Sequence, residues 1–155
     1  FSKAILVGLM FIGACAGSTG GGFKISRLLI LCKAIPKQLS LVIHPREVKV
    51  IRMDGKPIDH NTLRSTNVYL AIYFFILLVS TLLISVDNFN LTTNFTAVAS
   101  TLNNIGPGLD GVGPTRSFGM YSDFSKFVLM FDMLAGRLEL YPLLILFMPS
   151  LWRRK

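Results

Sequence analysis

The feature that most constrains the fold is a run of twenty residues without a charge, from Asn67 to Val86. As an α-helix this run is about 30 Å long, which matches the hydrocarbon thickness of a bilayer. Because Phe, Leu and Ile occur throughout the run, a helix here has no polar face to turn towards water. The run therefore predicts a transmembrane helix and not the buried helix of a soluble core.

Composition agrees with a membrane protein and excludes several other classes. Of the 155 residues, 52% are hydrophobic and only 15% are charged, against roughly 25% charged in ordinary globular domains. So hydrophobic a chain is not intrinsically disordered, and Cys15 and Cys32, both inside apolar runs, do not make a disulfide scaffold. The net charge of +8 would suggest nucleic acid if the basic residues formed a patch on a soluble domain, which they do not.

The charges are distributed unevenly along the chain. Residues 33–66 contain seven lysines and arginines against three acidic residues, whereas residues 87–115 contain two aspartates and no basic residue. The chain ends in three basic residues, 153–155, after a tryptophan. Because cytoplasmic loops of membrane proteins are rich in Lys and Arg, residues 33–66 and the C-terminus are predicted to be cytoplasmic, and residues 87–92 to lie outside.

The first forty residues predict a broken transmembrane helix. Residues 1–12 resemble half of such a helix, and residues 13–22 then contain five glycines, each costing a helix about 1 kcal/mol relative to alanine. Helical periodicity resumes at Phe23 and weakens near Pro36. Since a break at membrane depth is tolerated only where protein or a water-filled cavity covers it, and no signal sequence opens the chain, we expect a piece of a longer membrane protein.

A short helix and a loop follow the uncharged run. Residues 92–94 (Thr-Thr-Asn) favour a helix N-terminus, and residues 95–102 make a helix too short to cross a bilayer. Residues 103–114 are rich in glycine and proline, and residues 117–149 form a long, interrupted apolar stretch. Because residues 87–92 and the C-terminus lie on opposite sides, the last stretch has to cross the membrane, and the short helix has to enter and return to the outside.

The predicted fold class is therefore an all-α integral membrane protein with a helix, a re-entrant pore loop and a helix. Three parts are expected: a broken helix with an intramembrane glycine loop (1–40), a cytoplasmic connector (41–61) and the helix, loop and helix unit (62–155). In the connector, short apolar runs flank an Asp-Gly turn within residues 47–58, which predicts a β-hairpin.

The other motifs in the sequence give little information about function. The string Gly-Pro-Gly-Leu-Asp-Gly at 106–111 matches a dinucleotide-binding pattern, but a helix precedes it where that pattern requires a strand. Residues 17–24 resemble a phosphate loop, yet the spacing to Lys24 is wrong. His44 and His60 stand alone and do not predict a metal site. With no catalytic arrangement of side chains in view, we expect a protein that is not an enzyme and has no organic cofactor.

The direction of the short helix indicates its ligand. Entering from outside, the helix points its C-terminal end at mid-membrane, where its dipole presents about half a negative charge. The glycine-rich run 103–108 permits backbone conformations that turn carbonyl groups towards a pore axis, and such carbonyls replace the hydration shell of an alkali cation. An anion would require the opposite helix end, so the ligand is predicted to be a cation.

Arg137 lies in the middle of the last apolar stretch, where an arginine is costly unless it faces a partner or a cavity. One interpretation pairs it with Asp132 or Glu139 inside the bundle. The other interpretation makes Arg137 a positive charge in the path of the cation, below the carbonyl groups of residues 103–108 that would form a selectivity filter.

Four segments of the sequence carry a resemblance to a known family. The resemblance is specific because the segments occur in order through nearly the whole chain. They are residues 12–24 (IGACAGSTGGGFK), 44–45 (HP), 103–108 (NNIGPG) and 135–139 (AGRLE) with 141–143 (YPL). With these segments the chain resembles the C-terminal part of the Trk/Ktr/HKT potassium transporters, in particular the membrane subunit of the bacterial Trk uptake systems.

The resemblance implies a pore of four helix, re-entrant loop and helix repeats in one polypeptide. This chain would supply the last helix of the third repeat and the whole fourth repeat, the rest of the pore coming from the same longer chain. The implied K⁺-binding filter is Asn103, Asn104, Ile105 and Gly106, with K⁺ at the last three. The implied gate below it consists of Gly13, Gly17, Ser18, Thr19, Gly20, Gly21, Gly22 and Arg137.

The resemblance also implies a location and partners. The protein would cross the bacterial cytoplasmic (inner) membrane several times, form a homodimer and bind a cytosolic ring of nucleotide-binding regulatory subunits. The hairpin within residues 47–58 and the end of the last helix are candidate docking surfaces.

Two other functions fit the sequence. A secondary transporter with broken helices could bind a small organic solute through Ser18, Thr19 and Arg137. A membrane subunit that only anchors others would show no change in flux when Gly106 is altered.

Overall fold

The computed structural model describes residues 1–12, 22–44, 51–53 and 56–138. In these ranges the chain is mostly helical, with one small antiparallel sheet. The helices are α1 (Ser2–Phe11), α2 (Ile25–Ile43), α3 (His60–Ile84), α4 (Leu91–Leu102) and α5 (Asp123–Leu138), and the strands are β1 (Arg52–Met53) and β2 (Lys56–Pro57). Short 3₁₀ turns occupy Ser85–Asp87, Asp110–Val112 and Phe118–Met120.

Helix α3 contains most of the uncharged run, which ends in the 3₁₀ turn that follows. Within the described ranges, the helical segment Asn61–Asp87 is long and apolar enough to cross a membrane. The buried side chains of α3 recur every three or four residues, at Leu63, Thr66, Tyr69, Tyr73, Leu77, Ser80 and Ile84. This spacing places them on one helix face, which packs against α2, α4 and α5. Exposed apolar side chains such as Phe75 and Leu82 occupy the other side, as a helix in contact with lipid requires.

The end of α1 lies next to the start of α2. Ile12 is extended after the helix end and forms a parallel bridge with Phe23, just before α2. Gly22 adopts a φ of 86°, a conformation open to glycine. The described ends thus agree with a helix interrupted after Phe11. Helix α2 then continues through Pro36 to Ile43, beyond the point where the periodicity weakens.

The hairpin predicted in the connector is present. Strands β1 and β2 pair antiparallel, with Arg52 opposite Pro57 and Met53 opposite Lys56. Ile51 belongs to a small separate core with Ile30 and Ala34 of α2 and Leu63 of α3. Ile51, next to strand β1, is therefore packed against the middle of α2 and the first turn of α3.

Helix α4 is largely buried among the described residues and packs against both α3 and α5. Ala97, Val98, Ala99 and Leu102 are completely buried. The helix begins at Leu91 after Asn90, so the start predicted from residues 92–94 was wrong. With twelve residues it is about 18 Å long, which is still shorter than the hydrocarbon layer of about 30 Å.

The polar residues that suggested a helix cap serve tertiary contacts. Thr93 Oγ1 accepts a hydrogen bond from the backbone N–H of Gly111 (3.3 Å). Asn94 Nδ2 donates to the Phe89 carbonyl (3.3 Å), and its Oδ1 accepts from the Tyr121 hydroxyl (2.9 Å). Thr and Asn are common at helix starts because they bond to nearby backbone, and here that capacity ties α4 to the loops around it.

Candidate functional site

The C-terminal end of α4 closes in a Schellman arrangement. Asn104, with a φ of 54°, is the left-handed residue, and its N–H donates to the Thr101 carbonyl (3.0 Å). The N–H of Ile105 donates to the Ser100 carbonyl (2.9 Å). This pattern commonly ends helices with Gly or Asn in the left-handed position. The chain therefore turns sharply at the helix end and begins the run 103–108 in a defined direction.

Backbone φ alternates in sign along the beginning of this run. It is −91° at Asn103, positive at Asn104, negative at Ile105 and 109° at Gly106. In an ordinary strand successive residues face opposite sides, whereas alternating φ allows successive carbonyls to face one side. Among the described residues, none donates a hydrogen bond to the carbonyl oxygens of residues 103–106. These carbonyls are thus available to a ligand at the negative end of the α4 dipole.

The side chains of both asparagines are bound by neighbouring helices. Asn103 Oδ1 accepts from the hydroxyl of Tyr73 on α3 (2.8 Å), and its Nδ2 donates to the Ala99 carbonyl (2.8 Å). Asn104 Nδ2 donates to the carbonyl of Met133 on α5 (3.1 Å). The backbone of the run is therefore held from two sides by side-chain bonds.

Helix α5 approaches the same point through Gly136. A Cβ built on Gly136 would overlap the Leu102 carbonyl oxygen and lie 2.8 Å from Asn104 Nδ2. Since no side chain fits there, α5 and the end of α4 are in direct backbone contact. Gly136 is the residue immediately before Arg137, so the helix that supports the run also carries the arginine.

The turn beyond the run is attached to α4 and α1. The N–H of Leu109 donates to Thr96 Oγ1 (3.0 Å), and the N–H of Gly108 donates to the Val112 carbonyl (2.7 Å). Asp110 forms an ion pair with Lys3 of α1 (2.7 Å). The charge of Lys3 offsets that of Asp110, so the local potential at this turn is less negative than the sequence alone indicates.

The remaining predicted site residues are only partly described. Gly13, Gly17, Ser18, Thr19, Gly20 and Gly21 lie outside the described residues. Gly22 and Arg137 are described, and Arg137 is exposed on α5. Asp132 is completely buried, accepts a hydrogen bond from Ser80 Oγ (2.7 Å) and has no partner for its Oδ2 among the described residues. Asp132 is therefore not the partner of Arg137, and Glu139 lies outside the described residues.

Sequence reasoning missed Tyr73, which lies in the uncharged run. A tyrosine hydroxyl within a membrane requires a hydrogen bond partner, and this requirement was a signal for a polar contact on the inner face of α3. The partner itself, thirty residues further along the chain, could not be read from the spacing.

A helix long and apolar enough to cross a membrane, packed against a buried helix of half that length, is typical of a helical membrane protein. A family profile named TrkH and described as "Cation transport protein" matches residues 1–154. The chain belongs to this family, which confirms the resemblance to the Trk potassium transporters.

Relatives of known name and structure agree with this membership. The chain is 39% identical over 153 residues to the "Trk system potassium uptake protein TrkH" of Vibrio parahaemolyticus. The alignment includes 99% of this chain and 31% of that protein. The protein of the same name from Escherichia coli K12 is 37% identical with the same coverage. A crystal structure of the potassium transporter TrkH from Vibrio parahaemolyticus superimposes with a TM-score of 0.85 at 38% identity, covering 97% of this chain and 32% of that one. The chain thus spans about a third of the length of these relatives.

Proposed function

We propose that this chain is part of the pore-forming subunit of a potassium-uptake system and supplies one quarter of its selectivity filter. The filter quarter consists of Asn103, Asn104, Ile105 and Gly106, with K⁺ bound by backbone carbonyls of the last three. The observation that carries the proposal is the row of carbonyls without hydrogen bonds among the described residues, placed at the C-terminal end of a buried half-length helix. Carbonyl groups so placed replace the hydration shell of K⁺.

The transport is driven by the electrochemical gradient and involves no covalent step. The helix dipole of α4 favours a cation at its C-terminal end, and the ion is the cargo of the protein. The names of the relatives, which are potassium uptake proteins, support K⁺ as the ion. The experiment that tests this proposal is uptake of radiolabelled Rb⁺ into proteoliposomes containing the full-length chain, with K⁺ and Na⁺ as competitors.

The gate is proposed to lie below the filter. It comprises the glycine-rich loop 13–22 and Arg137, whose charge opposes the passage of a cation. Two observations support this placement: the loop is flanked by Ile12 and Phe23, which lie side by side, and Arg137 directly follows the residue of α5 that contacts the end of α4.

Arg137→Ala is expected to raise the basal cation flux of the full-length protein by about tenfold, which corresponds to ~1.4 kcal/mol removed from the barrier. The physical reason is the loss of a positive charge from the cation path. Flux per reconstituted protein is the quantity to measure, with Arg137→Lys as the matched variant that keeps the charge. A lower folding yield with unchanged flux per protein would make Arg137 a structural residue instead.

The proposed setting is the bacterial cytoplasmic membrane, with residues 33–66 and the C-terminus on the cytoplasmic side. There the protein would form a homodimer and bind a cytosolic ring of nucleotide-binding regulatory subunits. The hairpin of β1 and β2, attached to both α2 and α3 through a small core, is a suitable docking point, because a force on it is transmitted to both helices.

A further inference from the structure

The side chain of Tyr73 on α3 contacts both the filter run, through its hydroxyl, and two other aromatic residues, through its ring. Tyr73 is only 2% exposed, and its ring packs edge-on against Phe11 (centroids 6.5 Å apart) and close to Phe23 (6.4 Å). Phe11 and Phe23 stand just outside the two ends of the glycine-rich segment 13–22. Because aromatic neighbours fix the ring, the position of its hydroxyl is defined, and so is the position of Asn103, to which it donates.

Asn104 makes the corresponding bond on the opposite side. Its left-handed backbone conformation is set by the Schellman arrangement, and its Nδ2 reaches the Met133 carbonyl of α5. The absence of a side chain at Gly136 leaves room for this amide. Two consecutive residues of the run are therefore bound to two different helices, Asn103 to α3 and Asn104 to α5.

We propose that the hydrogen bonds from Tyr73 to Asn103 and from Asn104 to Met133 hold the inner end of the filter at a width suited to K⁺, so that the Tyr73 hydroxyl and the Asn104 amide are positioning groups that determine ion preference. This inference rests on the proposed function of residues 103–106 as a filter. Carbonyl oxygens discriminate between K⁺ and Na⁺ only if their number and placement are maintained around the ion. Supporting contacts behind a site keep such geometry within a fraction of an ångström.

The chain contains a matched control for the Tyr73 bond. Tyr121, also buried, donates to Asn94 Oδ1 (2.9 Å) near the opposite end of α4. Burial, and after it the charge of Asp87, raise the pKa of Tyr121 to about 12, so its hydroxyl remains a donor at neutral pH. The two Tyr–Asn bonds thus have the same chemistry and lie at opposite ends of α4, and the bond of Tyr73 is the one at the filter run.

The test compares Tyr73→Phe and Tyr121→Phe in the full-length protein. Each variant loses one buried hydroxyl, and we expect similar, modest reductions in the thermal unfolding midpoint for both. Inhibition of Rb⁺ uptake by K⁺ relative to Na⁺ should fall about threefold to tenfold in Tyr73→Phe only, the range expected for one hydrogen bond. Equal losses of ion preference in both variants, or none in either, would overturn the inference.

Asn104→Gly provides a second, independent variant. Glycine retains the left-handed conformation of residue 104 and removes only the side-chain bond to α5, so the same fall in ion preference is expected even if Tyr73→Phe does not fold. An unchanged K⁺ to Na⁺ ratio in Asn104→Gly would contradict the inference while leaving the filter itself intact. Absence of cation-selective uptake by the unmodified protein would instead reject the proposed function.

Discussion

Gly106→Ser is expected to reduce the preference of the full-length protein for K⁺ over Na⁺ by about tenfold or more. Gly106 has a φ of 109°, a conformation that costs a residue with a side chain on the order of 1–3 kcal/mol. Among the described residues no atom lies within 4 Å of a Cβ built there, so the effect comes from the backbone and not from a clash. The backbone relaxes by turning carbonyls of residues 105 and 106 away from the ion. Competition of K⁺ and Na⁺ with Rb⁺ uptake measures this change.

Gly8→Ser is the matched control for this substitution. Gly8 lies within α1, and its φ is not in the left-handed region. A Cβ built there also has no atom of the described part of the chain within 4 Å. The control should retain the ion preference of the unmodified protein. If Gly106→Ser also retained it, residues 103–106 would not form the filter.

Gly136→Ala is expected to weaken the packing of α5 on α4 and to destabilise the protein. In an exposed helix this change would stabilise by about 1 kcal/mol, but the new methyl group would overlap the Leu102 carbonyl oxygen. Overpacking of this kind typically costs about 1–3 kcal/mol, and a backbone oxygen at the end of a buried helix cannot rotate away as a side chain can. The thermal unfolding midpoint of the purified full-length protein should fall by several degrees.

Gly8→Ala serves as the control for Gly136→Ala because both glycines are helical and only Gly136 lacks space. Its unfolding midpoint should be unchanged or slightly higher. A midpoint of Gly136→Ala equal to that of the control would show that α5 and α4 are not in direct contact at this position. The surviving folded fraction should also discriminate less well between K⁺ and Na⁺, since Asn104 loses its place against α5.

The sequence predicted the long helix, the hairpin and the half-length helix because each has a signal within its own segment. The uncharged run fixes α3, an Asp-Gly turn between apolar residues marks the hairpin, and a glycine- and proline-rich stretch ends α4. The start of α4 was not predicted correctly. Thr93 and Asn94 have the chemistry of a helix cap, and their use in bonds to residues 111 and 121 depends on the tertiary fold.

The glycines show why the position of a site can be predicted from the sequence, whereas the contacts that build the site cannot. Glycine is required at position 106 because of its φ. At Gly108 and Gly136 glycine is required because a side chain would not fit; at Gly108, for example, a Cβ would lie 2.6 Å from Val112 Cγ2. A glycine in the sequence does not reveal which of the two requirements it meets. Likewise, Tyr73 and Asn103 each suggest a polar contact, but their pairing follows only from the packing of α3 against α4.

The most direct test of the account is Rb⁺ uptake into proteoliposomes that contain the full-length protein, with K⁺ and Na⁺ as competitors and empty vesicles as the control. If residues 103–106 form a filter of backbone carbonyls, K⁺ will block the uptake at a far lower concentration than Na⁺. Equal block by the two ions, or no cation uptake with or without a cytosolic regulatory partner, would contradict the account. The second result would favour a transporter of a small organic solute.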